Sequence, residues 1–313
     1  MLLGFDIGGT KCAVITARWE NGQIELLKKE KIDTDLSVAP EEMVDRLIAL
    51  ADGIVEEKPE AIGISCGGPL DSSRGIILGP PNLPGWDHVE IVDRIQKHFG
   101  APAHLQNDAN ACAVAEWKFG AGMGCENMVF LTFGTGLGAG LILNGKLYSG
   151  GGMVGEVGHM VIEKGGVPCN CGRRGCWEAY SSATGLIRMT KEAMEQHPES
   201  LLHKIAAENG GVEGRTAFQA AEAGDETALE VCKTFVEYLA AGVTNLVNVL
   251  QPEILAVGGG VAGAPDHLLM EPLRKIVEAE CYPRHTGKLP RILRAELGND
   301  AGIIGAALLS RAI

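Results

Sequence analysis

Leu2-Leu3-Gly4-Phe5-Asp6-Ile7-Gly8-Gly9-Thr10-Lys11 is the stretch whose reading decides the fold. Residues 2–5 are an apolar run that reads as a strand, closed by the turn Asp6-Ile7-Gly8-Gly9-Thr10-Lys11. Residues 12–17 and 23–32 read as two further strands, so the opening is strand–turn–strand–turn–strand. The dinucleotide fingerprint needs a helix directly after its glycine turn, and the P-loop needs G-x-x-x-x-G-K-[ST]; neither condition is met.

Outward from that opening, strands alternate with helices. Met43, Leu47, Leu50 and Ile54 keep helical spacing and predict a helix over 40–57, with Pro40 near its start. A strand follows at 61–66, cut off by Gly67-Gly68-Pro69. Next come a helix at 87–99, a strand at 103–106 and a helix at 110–119. Strands at 128–133 and 138–143 flank Gly134-Thr135-Gly136, and a glycine-rich region runs on to Gly158. Helices are expected over 183–196, 201–209, 216–223 and 226–250. The strand 254–257 then meets Gly258-Gly259-Gly260, followed by a helix at 266–280, a strand near Ile292 and a helix at 301–311. This alternation predicts an α/β protein with covered sheets. Strand, glycine turn, strand occurs twice, at 4–17 and 129–143, which fits either a duplicated domain or chance likeness of turns.

Bulk properties narrow the function classes. The 313 residues suffice for two ordinary domains, and 46% hydrophobic with 21% charged residues suits a globular enzyme. The 43 glycines follow no three-residue period, so they mark tight turns and ligand-facing backbone. Forty acidic against 27 basic side chains give a formal charge of -13, which argues against nucleic acid and anionic membrane as partners. The first residues lack the basic region of a signal peptide, and no apolar run is long enough to span a membrane. A cytoplasmic location is therefore expected.

Three glycine clusters fall at strand ends. In Gly8-Gly9-Thr10-Lys11, backbone N–H groups can face anionic oxygens while Lys11 adds a point charge. Asp6, at the strand tip, suits a magnesium ion that keeps its water shell. Gly134-Thr135-Gly136 is a second such turn with a hydroxyl added, and Gly258-Gly259-Gly260 allows close approach to a flat or anionic ligand. Asp108 stands where a helix begins. It reads either as a helix cap or as a general base that takes a hydroxyl proton during phosphoryl transfer.

His159 with Cys169-Asn170-Cys171-Gly172-Arg173-Arg174-Gly175-Cys176 supplies three thiols and one imidazole, the closed set of a structural zinc site. The nine cysteines are an odd number in a chain without a secretion signal, which favours metal binding over disulfides. The other six read as small buried hydrophobes.

Asp6-Ile7-Gly8-Gly9-Thr10-Lys11, Asn107-Asp108-Ala109-Asn110-Ala111, Gly134-Thr135-Gly136-Leu137-Gly138 and Gly258-Gly259-Gly260 together resemble the motifs of the ROK family. That family of bacterial repressors and kinases lies within the sugar-kinase superfamily that shares its ATPase domain with actin. The resemblance covers nearly the whole chain. It implies a two-domain actin-like fold, each domain a mixed five-stranded sheet flanked by helices, and it favours true duplication. The implied division is 1–109, with 299–313 returning, against 110–298 with a zinc loop at 159–176. ATP is implied in a cleft, with magnesium.

The resemblance makes Asp108 the catalytic base and Gly67, Gly68, Asn82 and Asn107 sugar-side residues. Glu156, His159 and Glu178 are likewise placed on the sugar, and His159, Cys169, Cys171 and Cys176 on structural zinc. Trp86, beside Asn82, reads equally as a sugar contact or a loop anchor. Residues 175–182 and 82–86 look most like the family's ATP-dependent glucokinases, so glucose is the implied acceptor. N-acetylmannosamine, N-acetylglucosamine and fructose are the alternatives. A repressor of the family would need a DNA-binding helix-turn-helix ahead of the first strand, and none is expected. The expected assembly is a homodimer, with a homotetramer as the alternative.

Overall fold

β1 (Leu2–Ile7) is buried along nearly its whole length, as its continuous apolar run requires of a strand covered on both faces. It lies at the centre of a five-stranded sheet with β2 (Lys11–Glu20), β3 (Gln23–Asp33), β4 (Ala61–Cys66) and β7 (Ala103–Asn107), in the order β3-β2-β1-β4-β7. The β1–β2 and β2–β3 pairs are antiparallel, and β1–β4 and β4–β7 are parallel. A small hairpin, β5 (Leu70–Asp71) with β6 (Ile76–Ile77), follows β4. The computed structural model describes residues 1–20, 23–151 and 153–312; Gly152 of the glycine-rich region lies outside them.

Helices α1 (Pro40–Asp52) and α2 (Ile91–Phe99) cover one face of this sheet, burying Met43, Val44, Leu47, Ile91 and Ile95 with Phe5, Ile7 and Ile64. The other face is covered by α3 (Asp108–Phe119) and α10 (Ala301–Leu308), the latter resting on β1, β2, β4 and α3. α10 reads Ala-Gly-Ile-Ile-Gly-Ala-Ala-Leu and approaches the sheet closely because glycines face it. A Cβ built on Gly63 would lie 1.7 Å from the Ala306 carbonyl oxygen. Gly63→Ala is therefore expected to lower stability by at least ~1–3 kcal/mol, the usual cost of overpacking, because the obstacle is backbone. A thermal melt checks this, and an unchanged Tm would contradict so close an approach.

The second sheet contains β8 (Met128–Phe133), β9 (Leu137–Leu143), β10 (Lys146–Leu147), β11 (Ile254–Gly258) and β12 (Arg291–Arg294), in the order β10-β9-β8-β11-β12. Both sheets thus follow one plan: third strand, second, first, fourth, fifth. The repeated strand–turn–strand of the sequence opens each of them. The helices of this half are α4 (Glu178–Ser181), α5 (Ala183–Gln196), α6 (Leu202–Glu208), α7 (Thr216–Glu222), α8 (Glu226–Leu250) and α9 (Met270–Glu280). No described helix is long and apolar enough to cross a membrane. The chain divides into two compact units, Met1–Phe130 with Gly140–Gly155 and Glu296–Ile313, and Leu131–Ala139 with Glu156–Ala295.

Element boundaries differ from expectation where local bonding overrides periodicity. α1 stops at Asp52, not at residue 57, with Gly53 as its C-cap. α2 starts at Ile91, not at residue 87, because Val89 and Ile77 exchange backbone hydrogen bonds of 3.0 and 3.1 Å. α9 starts at Met270, not at residue 266, since the N–H groups of Leu268 and Leu269 turn back to Pro265. β7 runs on to Asn107 and α3 begins at once with Asp108, two residues before the predicted start.

Candidate functional site

The predicted site residues fall into two groups, one in each unit. In the first, β1 carries Asp6 to the end of the sheet, opposite Ala13 of β2 and Ser65 of β4. The Gly8–Lys11 turn is tight: the Gly8 N–H donates to the Lys11 carbonyl at 3.1 Å. Thr34 braces it, with its hydroxyl donating to the Gly8 carbonyl at 2.6 Å and its N–H to that of Thr10. Thr10 and Lys11 are exposed. Gly9 meets the 79–86 loop so closely that a Cβ there would lie 2.3 Å from the Asn82 carbonyl oxygen.

That loop is pinned by Leu83 and Trp86, which are 0% and 2% exposed. Trp86 is therefore the loop's anchor, and Asn82 is the exposed amide it presents. The Asn82 amide stands against Gly67, and the Asn107 Nδ2 against Gly68. Gly67, Gly68, Asn82 and Asn107 are thus gathered at the ends of β4 and β7.

Asn107 caps α3, its Oδ1 accepting from the Ala109 N–H at 2.8 Å. This fixes the amide orientation and leaves Nδ2 to donate elsewhere. The capping role that the sequence allowed for Asp108 belongs chiefly to its neighbour. The Asp108 Oδ1 shares the Ala109 N–H at 2.8 Å. Asp108 is exposed at its outer edge yet closely surrounded by protein; burial raises its carboxyl above the ordinary range, while the Ala109 N–H opposes the rise. Asp6 is raised too, first by burial and further by the charge of Asp108. Two carboxylates whose affinities for protons are lifted together are a common feature of acid–base sites.

In the second unit, Gly134-Thr135-Gly136 joins β8 to β9, with the Gly134 N–H donating to the Gly136 carbonyl at 3.0 Å. The start of α5 ties the turn down: the Ala183 N–H donates to the Gly134 carbonyl at 2.9 Å and the Thr184 hydroxyl to that of Thr135 at 2.7 Å. Gly258 ends β11. Gly259, at φ +84°, passes so near β8 that a Cβ would lie 2.5 Å from the Phe133 carbonyl oxygen. Gly260 borders a cavity of about 640 Å³, lined also by Arg215, Phe218, Gln219, Val261 and Pro265. Sequence reasoning found only the glycine. An arginine just before a short helix and a phenylalanine three residues on within it carry no motif.

His159, Cys169, Cys171 and Cys176 present four donor atoms all within 4.8 Å of one another. The bridges Val161↔Cys176 and Pro168↔Arg174 fold the loop so that donors up to 17 positions apart meet. Cys171 and Cys176 sulfurs are 3.6 Å apart, and His159 Nδ1 is 3.8 Å from the Cys169 sulfur. Ligands at zinc's usual ~2.0–2.3 Å bond lengths in a tetrahedron stand roughly 3.4–3.8 Å apart, so the donor set fits that ion. Burial pushes the Cys176 thiol up to about 12, whereas the Arg173 backbone N–H lowers Cys171.

With Nδ1 turned to the cluster, the His159 Nε2 faces Glu156, 4.0 Å from its Oε2. Glu178 bridges two parts of the same unit. Its Oε2 accepts from the Leu137 N–H at 2.8 Å, beside the Gly136 turn, and its Oε1 is 4.0 Å from the Cys169 sulfur. Behind it Trp177 is fully buried, its Nε1 donating to the Tyr238 carbonyl at 3.0 Å.

These features match known proteins along the whole chain. The curated glucokinase of Thermotoga maritima is 38% identical over 311 residues, covering 98% of this chain and 96% of that protein. An N-acetylmannosamine kinase of Shigella flexneri is 30% identical over 311 residues, covering 99% and 98%. The crystal structure of a ROK family glucokinase from Streptomyces griseus, in complex with glucose and AMPPNP, is 34% identical, covers 99% of each chain and superposes with a TM-score of 0.78. The model of the ROK family matches residues 2–313. The chain belongs to the ROK family.

Proposed function

We propose that this chain is a glucokinase, transferring the γ-phosphoryl group of ATP to the 6-hydroxyl of glucose to give glucose 6-phosphate and ADP. The observation that carries the reading is Asp108: an outward-facing carboxylate at the start of α3, in one unit with the Gly8–Lys11 turn and the amides of Asn82 and Asn107. Phosphoryl transfer needs positioning and charge stabilisation more than covalent help. Asp108 accepts the proton leaving the 6-hydroxyl. The Asn82 carboxamide and the Asn107 Nδ2 orient sugar hydroxyls, as do Glu156, His159 Nε2 and Glu178.

Backbone N–H groups and Lys11 of the Gly8–Lys11 turn, with the Gly134–Gly136 turn, receive phosphate oxygens. The cavity beside Gly260 takes the nucleoside. Asp6 would hold a magnesium ion, which when bound would neutralise phosphate charge. His159, Cys169, Cys171 and Cys176 would hold a zinc ion with four protein ligands, which would serve to fix the loop that carries Glu156 and Glu178.

Glucose is favoured over N-acetylated sugars by the greater likeness to a glucokinase. A screen of glucose, mannose, fructose, N-acetylglucosamine and N-acetylmannosamine with ATP and magnesium tests the acceptor. Glucose should give the highest kcat/KM, by roughly 10- to 100-fold, since a mismatched hydroxyl leaves a buried partner unpaired at a cost of ~1–3 kcal/mol. A higher value for N-acetylmannosamine would reassign the acceptor.

A further inference from the structure

Glu116, near the end of α3, is a charged side chain with no solvent exposure. Among the described residues no cation pairs with it. Its carboxylate is instead held by three backbone N–H groups: Ala121 at 3.0 Å, Glu296 at 2.9 and 3.1 Å, and Leu297 at 2.8 Å. Backbone donors can stabilise a buried carboxylate in this way, and each would be orphaned without it. Ala121 belongs to the turn that ends α3. Glu296 and Leu297 lie 180 and 181 residues beyond Glu116, where the chain re-enters the first unit ahead of α10.

The two elements joined by Glu116 are those that carry or touch the carboxylates of the reaction. α3 begins with Asp108, eight residues and roughly 12 Å of helix before Glu116. α10 sets Gly302 beside Asp6, where a Cβ would stand 3.5 Å from the carboxylate. α10 also locks onto α3 through Gly305, whose Cβ would fall 1.7 Å from the Ala111 carbonyl oxygen. Ala111 is one turn from Asp108. Helices meeting backbone to backbone cannot slide without collision, so a shift at residues 296–297 is transmitted along α10 to both carboxylates.

We infer that Glu116 is a positioning residue for phosphoryl transfer: its buried carboxylate clasps the 296–297 segment to the end of α3 and so fixes Asp108 relative to Asp6. The inference rests on the kinase reading for its effect on rate. Its effect on structure stands apart from that reading.

Two variants open the clasp by different routes. Glu116→Gln replaces an accepting oxygen with an amide donor that faces backbone donors. Gly120→Ala leaves Glu116 in place but adds a methyl that would lie 2.1 Å from its Oε2. With each, kcat for glucose, KM for glucose and for ATP, Tm, and backbone amide exchange are measured well below the melting temperature. Both variants should lower kcat at least ~10-fold, the usual scale for a misplaced catalytic group, with both KM values within about twofold. Exchange should accelerate at Leu297 and also at Ala109, whose N–H lies between Asn107 and Asp108. Faster exchange at Leu297 with Ala109 protection and kcat unchanged would overturn the inference, leaving Glu116 a local packing group. A wild type that phosphorylates no sugar would fail the kinase reading, while exchange at Ala109 would still decide whether the clasp reaches Asp108.

Discussion

Asp108→Asn should lower kcat by ~10²–10⁴ while leaving the dissociation constant for glucose within a few-fold, because a general base acts in the transfer step and not in ground-state binding. The asparagine keeps an oxygen for the Ala109 N–H, so α3 should start where it does in the wild type. A pH consequence follows. Burial raises the Asp108 carboxyl above its ordinary value, so the base form is lost at a higher pH than for an unperturbed aspartate. The acid limb of kcat/KM should therefore lie above the ordinary aspartate range.

The stability sign follows from the same shift. The folded state holds the proton more tightly than the unfolded chain, so ionisation of Asp108 opposes folding as pH rises from the ordinary value through the folded one. At neutral pH the asparagine variant should melt no lower than the wild type, and any gain should vanish in acid, where both forms are neutral. Near-normal turnover by a folded Asp108→Asn would remove Asp108 from the chemistry.

The zinc loop gives the second large effect. Cys171 is exposed, so Cys171→Ser alters coordination with little change in packing. The variant should carry well under the roughly one zinc per chain expected of the wild type, and KM for glucose should rise ~10-fold or more. ATP binding should change less than glucose binding, because the Gly8–Lys11 turn is braced by Thr34 and shares no residue with the zinc loop, and only the Gly134–Gly136 turn is linked to that loop, through Glu178. His159→Ala should be worse for glucose than Cys171→Ser, since it removes a ligand and also the Nε2 that faces Glu156. Elemental analysis with separate glucose and nucleotide titrations measures each part. Full glucose affinity in zinc-free protein would end the structural role.

How much of this was legible in the sequence depended on how local each signal is. The antiparallel pairing of β1 with β2 follows from the Asp6–Lys11 turn, because a strand after the turn, in place of a helix, folds back on its neighbour; the parallel places of β4 and β7 do not follow from it. The metal cluster was legible because Cys-x-Cys and Gly-x-x-Gly-Cys fix distances within one loop. Only His159 had to be brought in from outside it, by the Val161↔Cys176 bridge. That Asn107 caps α3 in place of Asp108 was not legible. Both are capping residues, and the length of β7 decides between them. The role of Trp86 was equally open until its burial was seen. Glu116 was invisible for a different reason: a glutamate in an alanine-rich helix reads as a solvated residue, and its partners at 296 and 297 carry no side-chain signature because they bond through backbone N–H groups.

The central claim is transfer of phosphate from ATP to glucose, and phosphorus NMR of the purified wild-type chain with ATP, magnesium and glucose measures it most directly. The account predicts that the ATP resonances give way to those of ADP and of one phosphomonoester, in equal amounts, with carbon coupling placing the ester at C6 of glucose. Unchanged ATP, or ADP accompanied only by inorganic phosphate, would contradict it.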